Sequence, residues 1–199
     1  MARSPLYRVV INSSSLGSVS GWLPEEFQFG VESEWDSPFD KGGGTGSQVL
    51  SAVGLSTKTT VRSSQVWSGS SPVTISMPID FIAVNNSRNE VVRPIRTLMK
   101  MALPGGIEKF GSTFLDPPGP TIVDTIDAYK DSTSLVRGDI ITVRIGRFIR
   151  FTHVVILQVQ PSWSGKLSVD GLPMQAKVDI GFRTFTTLTK NQLDRMFIN

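Results

Sequence analysis

Along residues 73–83, Val73, Ile75, Met77, Ile79, Phe81 and Ala83 take alternate positions, with Thr74, Ser76 and Asp80 between them. A period of two sends one set to one face of a sheet and the other set to the opposite face. The same alternation returns near the C-terminus, where Met174, Ala176, Val178, Ile180 and Phe182 are interleaved with Gln175, Lys177, Asp179 and Arg183. Two long half-apolar ribbons have to bury one face each, which commits the chain to a β scaffold. Pro78 lies on the polar side of the first ribbon and has no N–H to donate, so it points to an edge, a bulge or a subunit boundary.

Asn85-Asn86-Ser87 breaks the first ribbon, because short polar side chains compete for backbone hydrogen bonds. A helix is expected next. Ser87 or Asn89 can cap it, and Glu90 lies near its positive end. Val91, Ile95, Leu98, Met99 and Ala102 form its apolar stripe, opposite Arg93, Arg96 and Lys100. Pro94 is tolerated in a first turn, and Pro104-Gly105-Gly106 ends the helix. The basic face is read either as solvated or as meeting an acidic partner.

Elsewhere the pattern predicts a strand over 6–11, a polar loop over 13–20, a strand through Phe27, Phe29 and Val31, and a polar strand over 57–67. Residues 139–148 and 150–160 read as a hairpin, with Ile141, Val143 and Ile145 on one face. A loop over 161–173 carries Trp163 and the Asp170-Gly171 turn signal. A short helix over 190–197 follows, capped by Thr189 or Thr187, with Leu193, Met196 and Phe197 as its apolar side. Asp116-Pro117-Pro118-Gly119-Pro120 is a rigid connector, with a strand suggested over 121–126. The sum is a mainly β chain of six to eight strands: two packed antiparallel sheets as a sandwich or barrel, one flanking helix and a short C-terminal helix. At 199 residues it is expected to be a single domain spanning 1–199, with a loop or arm region over 12–48.

Composition excludes several chemistries. Without cysteine there is no disulfide, zinc–thiolate site or thiol nucleophile. A net charge of +3, with the bases scattered, gives no nucleic-acid stripe. Apolar runs such as 154–157 are far too short to span a membrane, and no signal-peptide core stands at the N-terminus, so folding in a cytoplasm is expected. The Lys41-Gly42-Gly43-Gly44-Thr45-Gly46-Ser47 segment is linker-like. Its lysine precedes the glycines, unlike a phosphate-binding loop.

No catalytic constellation is legible. His153 is the single histidine, flanked on its own expected face by Phe151, Val155 and Leu157, and reads as a core or interface residue. The acidic run of Glu25, Glu26, Glu32, Glu34, Asp36 and Asp40 borders glycines, a poor place to hold two carboxylates at fixed separation, and reads as solvated or partner-facing. Arg137-Gly138-Asp139 and the sequons at Asn12 and Asn85 are short enough to arise by chance. No metal or cofactor is expected. Trp22, Trp35, Trp67 and Trp163 sit in or beside polar loops, as core fillers or as interface anchors.

Two blocks carry a resemblance. The first is Trp67-Ser68-Gly69-Ser70-Ser71-Pro72 with the strand ending Asp80-Phe81-Ile82-Ala83, then Glu90-Val91-Val92-x-Pro94-Ile95-x-x-Leu98 and Leu103-Pro104. The second is Ile145-Gly146-x-Phe148, the strand over 154–159, and Asp170-Gly171-Leu172-Pro173-Met174-x-Ala176-x-Val178-x-Ile180-x-Phe182-x-Thr184 with Leu188-Thr189-Lys190. Together, over residues 66–197, they resemble the baseplate tail-tube initiator proteins of contractile-tailed bacteriophages and related injection systems. The resemblance implies a hexameric ring whose sheets join edge to edge around a lumen for DNA passage. It implies assembly in a bacterial cytoplasm into a virion, and no enzymatic activity or membrane insertion. The partners implied are other copies of the chain, the tail tube protein, the baseplate hub and the tape measure protein. Thr74, Ser76, Asp80, Gln175, Lys177, Asp179 and Arg183 would face the lumen, and Trp67, Val91, Ile95, Leu98, Met99, Trp163 and Leu193 are the interface candidates. Alternatives are the major tail tube protein or another hub adaptor and, from another class, a carbohydrate-binding β-sandwich.

Overall fold

The structure, a computed structural model, describes residues 8–23, 26–36, 64–109, 112–119 and 140–198. Two compact units divide the chain: Met1–Gly30 with Pro72–Asn199, and Val31–Ser71. The strands are β1 (Arg8–Ser13), β2 (Gly17–Trp22), β3 (Gln28–Phe29), β4 (Ser33–Asp36), β5 (Val66–Ser70), β6 (Thr74–Ile82), β7 (Gly105–Lys109), β8 (Ser112–Asp116), β9 (Ile141–Ile145), β10 (Ile149–Trp163) and β11 (Gln175–Thr184). The α-helices are α1 (Arg93–Ala102) and α2 (Lys190–Met196). The chain is therefore mainly β, as the alternation predicts.

In the larger unit the strands run in the order β11-β10-β9-β1-β2-β6-β3, and β11 also pairs with β6. That pairing closes a six-stranded antiparallel barrel. This corrects the expectation of two packed sheets. The two most regular ribbons, β6 and β11, are direct neighbours in register from Gln175↔Ile82 to Arg183↔Thr74, so the layers share a seam. β10 makes the corner. It pairs with β9 as far as Val154 and with β11 from Val154 to Trp163, and register shifts at Phe151/Val154 and Ile156/Gln158 bend it. The residues Pro161, Ser162 and Trp163, expected in a loop, thus continue β10.

Alternation fixes the core. Ile75, Met77, Ile79 and Phe81 of β6 and Ala176, Val178, Ile180 and Phe182 of β11 all point inward and are buried. Val9, Ile11, Val143, Ile145 and Phe151 join them in one cluster, so the barrel of a single subunit is filled with side chains and is no channel. Pro78 lies inside the sheet. On β6's outer side β2 pairs only at Asp80 and β3 at Ile75 and Ser76, so Pro78 falls in the interval between two short neighbours and interrupts no pairing there.

The stretch expected as a polar loop over 13–20 is instead a hairpin. Ser13 pairs with Gly17 across a three-residue turn, and Gly17 has φ 84°, a left-handed conformation that glycine adopts without strain. The expected strand through Phe27, Phe29 and Val31 shortens to β3, and Val31 is exposed. The hairpin β7/β8 replaces the connector expected beyond Gly105, up to Asp116. The strand suggested over 121–126, most of that over 57–67, the glycine segment 41–47 and Arg137-Gly138-Asp139 lie outside the described residues.

Candidate interaction surfaces

α1 begins with a single π-helical turn, Arg88–Val92. Ser87 makes no side-chain cap. The cap is Asn86, whose Oδ1 accepts from the Asn89 N–H at 3.2 Å. The Glu90 side chain reaches back to the end of the preceding strand, where the Val84 and Asn85 backbone N–H groups donate to one carboxylate oxygen. These donors, Val84 foremost and then Asn85, hold the Glu90 carboxyl below its usual range. A depressed carboxyl contributes stability that is present above its unfolded-state range and lost as pH falls through its folded value. Glu90→Gln is therefore expected to lower the melting temperature at pH 7, and the difference from the parent to shrink in thermal scans towards pH 3. A difference that stayed constant with pH would remove the charged form from the account.

The buried face of α1 is Val91, Ile95, Leu98 and Met101, all in the barrel's own core. The stripe differs from the expected one at one end. At about 100° per residue, the buried arc centres on Leu98, takes in Met101, and leaves Met99 on the shoulder, 40% exposed. Of the interface candidates, then, Val91, Ile95 and Leu98 are packed within the subunit. Trp67 and Trp163 are exposed, and Leu193 is half-buried. Met196 of α2 is buried, and Thr189 and Gln192 close a capping box, as the sequence predicts for Thr189.

His153 is not in the core. It sits exposed in the first irregularity of β10 with φ 55°, and its carbonyl accepts from the Phe185 N–H at 2.8 Å. The extra residue turns Val154 inward in place of Val155, and leaves Leu157 exposed. Among the described residues no group of three or more His, Asp or Glu side chains is placed to hold a metal. A cavity of about 510 Å³ lies beside the start of the π turn, lined by Val84, Asn85, Asn86, Arg88, Ser168 and Asp170 among others. Its nearest free amides, those of Val84 and Asn85, already serve Glu90.

Two surfaces stand out. One is the outward face of β10, β11 and β6. Cross-strand neighbours there are Ser162, Lys177 and Asp80 in one row and Gln160, Asp179 and Pro78 in the next. Arg183 Nε donates to Thr74 Oγ1 at 3.1 Å. The expected lumen set is thus brought together as one contiguous polar sheet face, with Asp80 its buried member. Among the described residues, β10 beyond Val154 is paired only with β11, so residues 155–163 form a free edge without one charged side chain. Uncharged exposed edges are templates for a further strand. The other is the β4/β5 hairpin, in which Trp35 pairs with Trp67 and both are more than half exposed. No described helix is long and apolar enough to cross a membrane.

A scan against protein-family models gives no match, and a search of curated proteins returns no relative.

Proposed function

We propose that this chain is a structural virion protein, a subunit of a hexameric ring in the baseplate tail tube of a contractile-tailed phage. In this reading the ring joins the central hub to the tail tube, nucleates tube assembly and leaves a lumen for the genome. Its chemistry is association alone. Its partners are other copies of itself, the tube protein, the hub proteins and the tape measure protein. The observation that carries the reading is the three-stranded patch of β10, β11 and β6, polar on its outward face and open along an uncharged edge. A strand of the next copy laid along that edge would satisfy its backbone groups, and a head-to-tail contact of this kind closes into a ring when its rotation divides the circle. The barrel of each subunit is filled, so a lumen would lie between copies and be lined by these polar faces.

The test is electron microscopy and mass measurement of the purified chain and of Gln158→Lys/Gln160→Lys. Both positions are exposed on the edge strand, and lysine there blunts strand addition without touching the core. Closed six-fold rings from the parent, and folded monomers from the variant, are expected. Rings of unchanged yield from the variant, or a parent that stays monomeric at every concentration, overturn the reading. Copy number in particles separates an initiator, with about one ring, from a major tube protein with many.

A further inference from the structure

We infer that the β4/β5 hairpin of one copy docks on the outer face of α1 of a second copy, through a tryptophan pair flanked by carboxylates that meets a basic helical stripe. The inference rests on the self-assembly reading only in taking the occupant to be the same chain.

The hairpin is an incomplete structure by itself. A two-stranded ribbon is marginal in water unless its apolar side is covered. Here Trp35 and Trp67 are directly opposed across the strands, hence on one face, and are 58% and 57% exposed. Paired tryptophans of this exposure are the residue type most often found as interface anchors. Around them the ribbon is acidic. Glu32, Glu34 and Asp36 are all exposed, and no described residue of the Val31–Ser71 unit is basic. Glu34 accepts a hydrogen bond from the Ser71 hydroxyl at 2.8 Å, which leaves its charge unneutralised.

α1 presents the complement. Its sequence, Arg-Pro-Ile-Arg-Thr-Leu-Met-Lys-Met-Ala, has three bases and no acid. Arg93, Arg96 and Lys100 share the side opposite the buried arc, all exposed, and none has an ion-pair partner among the described residues. Like charges at this spacing repel and weaken a helix unless something offsets them. Met99, on the shoulder beside Arg96, adds exposed apolar surface to the same side.

The dimensions agree. Positions 93 to 100 rise about 10 Å along a helix. Positions 32 to 36 span about 13 Å in extended chain. Three carboxylates and three bases can therefore be set side by side, with the tryptophan rings against Met99 and the arginine planes, where cation–π attraction adds to burial. A partner of other chemistry would have to bring its own basic face. This chain already carries one of matching length and opposite charge.

The experiment uses three full-length chains: the parent, a hairpin reversal (Glu32→Lys/Glu34→Lys/Asp36→Lys) and a helix reversal (Arg93→Glu/Arg96→Glu/Lys100→Glu). All six positions are exposed, and circular dichroism checks that each chain folds. Self-association is followed by sedimentation. Each reversal alone is expected to weaken association about tenfold or more. An equimolar mixture of the two is expected to restore it, because each reversed hairpin then meets a reversed helix. Rescue by mixing is available only to a contact between copies. Parent association should also fall as salt shortens the screening length from about 10 Å at 0.1 M to about 3 Å at 1 M. If the parent forms rings and the mixture associates no better than either variant, this contact is wrong and the ring reading stands. A parent that does not associate at all removes both.

Discussion

Phe151→Ala is expected to remove about 3–5 kcal/mol from the stability of the barrel, the range for truncating a fully buried aromatic. A domain of this kind holds about 5–15 kcal/mol in total, so the variant should lie near or past the folding threshold. The position matters more than the residue type. Phe151 packs edge-on against Phe182 at 5.8 Å and receives Phe29 edge-on at 5.5 Å. Phe29 in turn stacks on Phe27 at 6.2 Å and lies 6.5 Å from Phe197, and Phe27 lies 6.1 Å from Phe148. This aromatic series runs from β11 through β10 to the two-residue strand β3 and the segment after α2. Beyond buried area, each such ring pair adds about 0.5–1.5 kcal/mol. Removing Phe151 breaks two pairs and leaves β3 held by Gln28 and Phe29 alone. Phe148→Ala, at the exposed end of the series, should cost about 1 kcal/mol or less. Urea denaturation of both variants checks the ranking, and equal losses would show that the series does not act as a connected core.

How much of this was legible beforehand depended on periodicity. β6 and β11 were readable because strict alternation over nine or ten residues has one interpretation, and β9/β10 because β-branched runs flank a short turn. The faces of β10 were not readable. A count by twos from Phe151 sends His153 inward, but the register shift before Val154 inserts one residue and His153 takes up a left-handed φ that no glycine announced. Strand β2 was hidden for a different reason. Gly17-Ser18-Val19-Ser20-Gly21-Trp22 is rich in serine and glycine, as loops are, and its one strongly apolar inward residue is Val19. On α1 the stripe was legible but its centre was not, since Met99 and Met101 are equivalent by composition and only packing decides between them. The surfaces were legible in part. Trp67 and Trp163 are exposed, as anchors must be, and the acidic run and basic stripe were visible as charge. What no local pattern could supply was the pairing of Trp35 with Trp67 across residues 37–65, or the neighbour relation of β6 and β11 across residues 83–174.

Gly21 carries the second large expectation, and it concerns closure of the barrel. β2 and β6 meet in register only at Trp22↔Asp80, so the seam depends on close approach more than on a long ladder. A Cβ at position 21 would lie 2.3 Å from Ile79 Cγ2 and 3.1 Å from two carbons of the Phe81 ring. Both neighbours are buried in the core, so neither can swing away into solvent. The missing side chain is where those two side chains pack. Gly21→Ala is therefore expected to destabilise by about 1–3 kcal/mol through overpacking, and Gly21→Val by more. A loss of this kind would ordinarily be opposed, since alanine for glycine narrows the unfolded ensemble and stabilises by about 0.4–1 kcal/mol wherever the site has room. The sign of the change is thus diagnostic. Ile79→Ala on its own should cost about 2–5 kcal/mol by leaving a cavity. In the double variant Gly21→Ala/Ile79→Ala the new methyl group occupies part of that cavity, so the combined loss should fall short of the sum of the single losses. Strict additivity in denaturation, or a Gly21→Ala variant as stable as the parent, would mean that β2 does not press on β6 and that the barrel is closed by β6 and β11 alone.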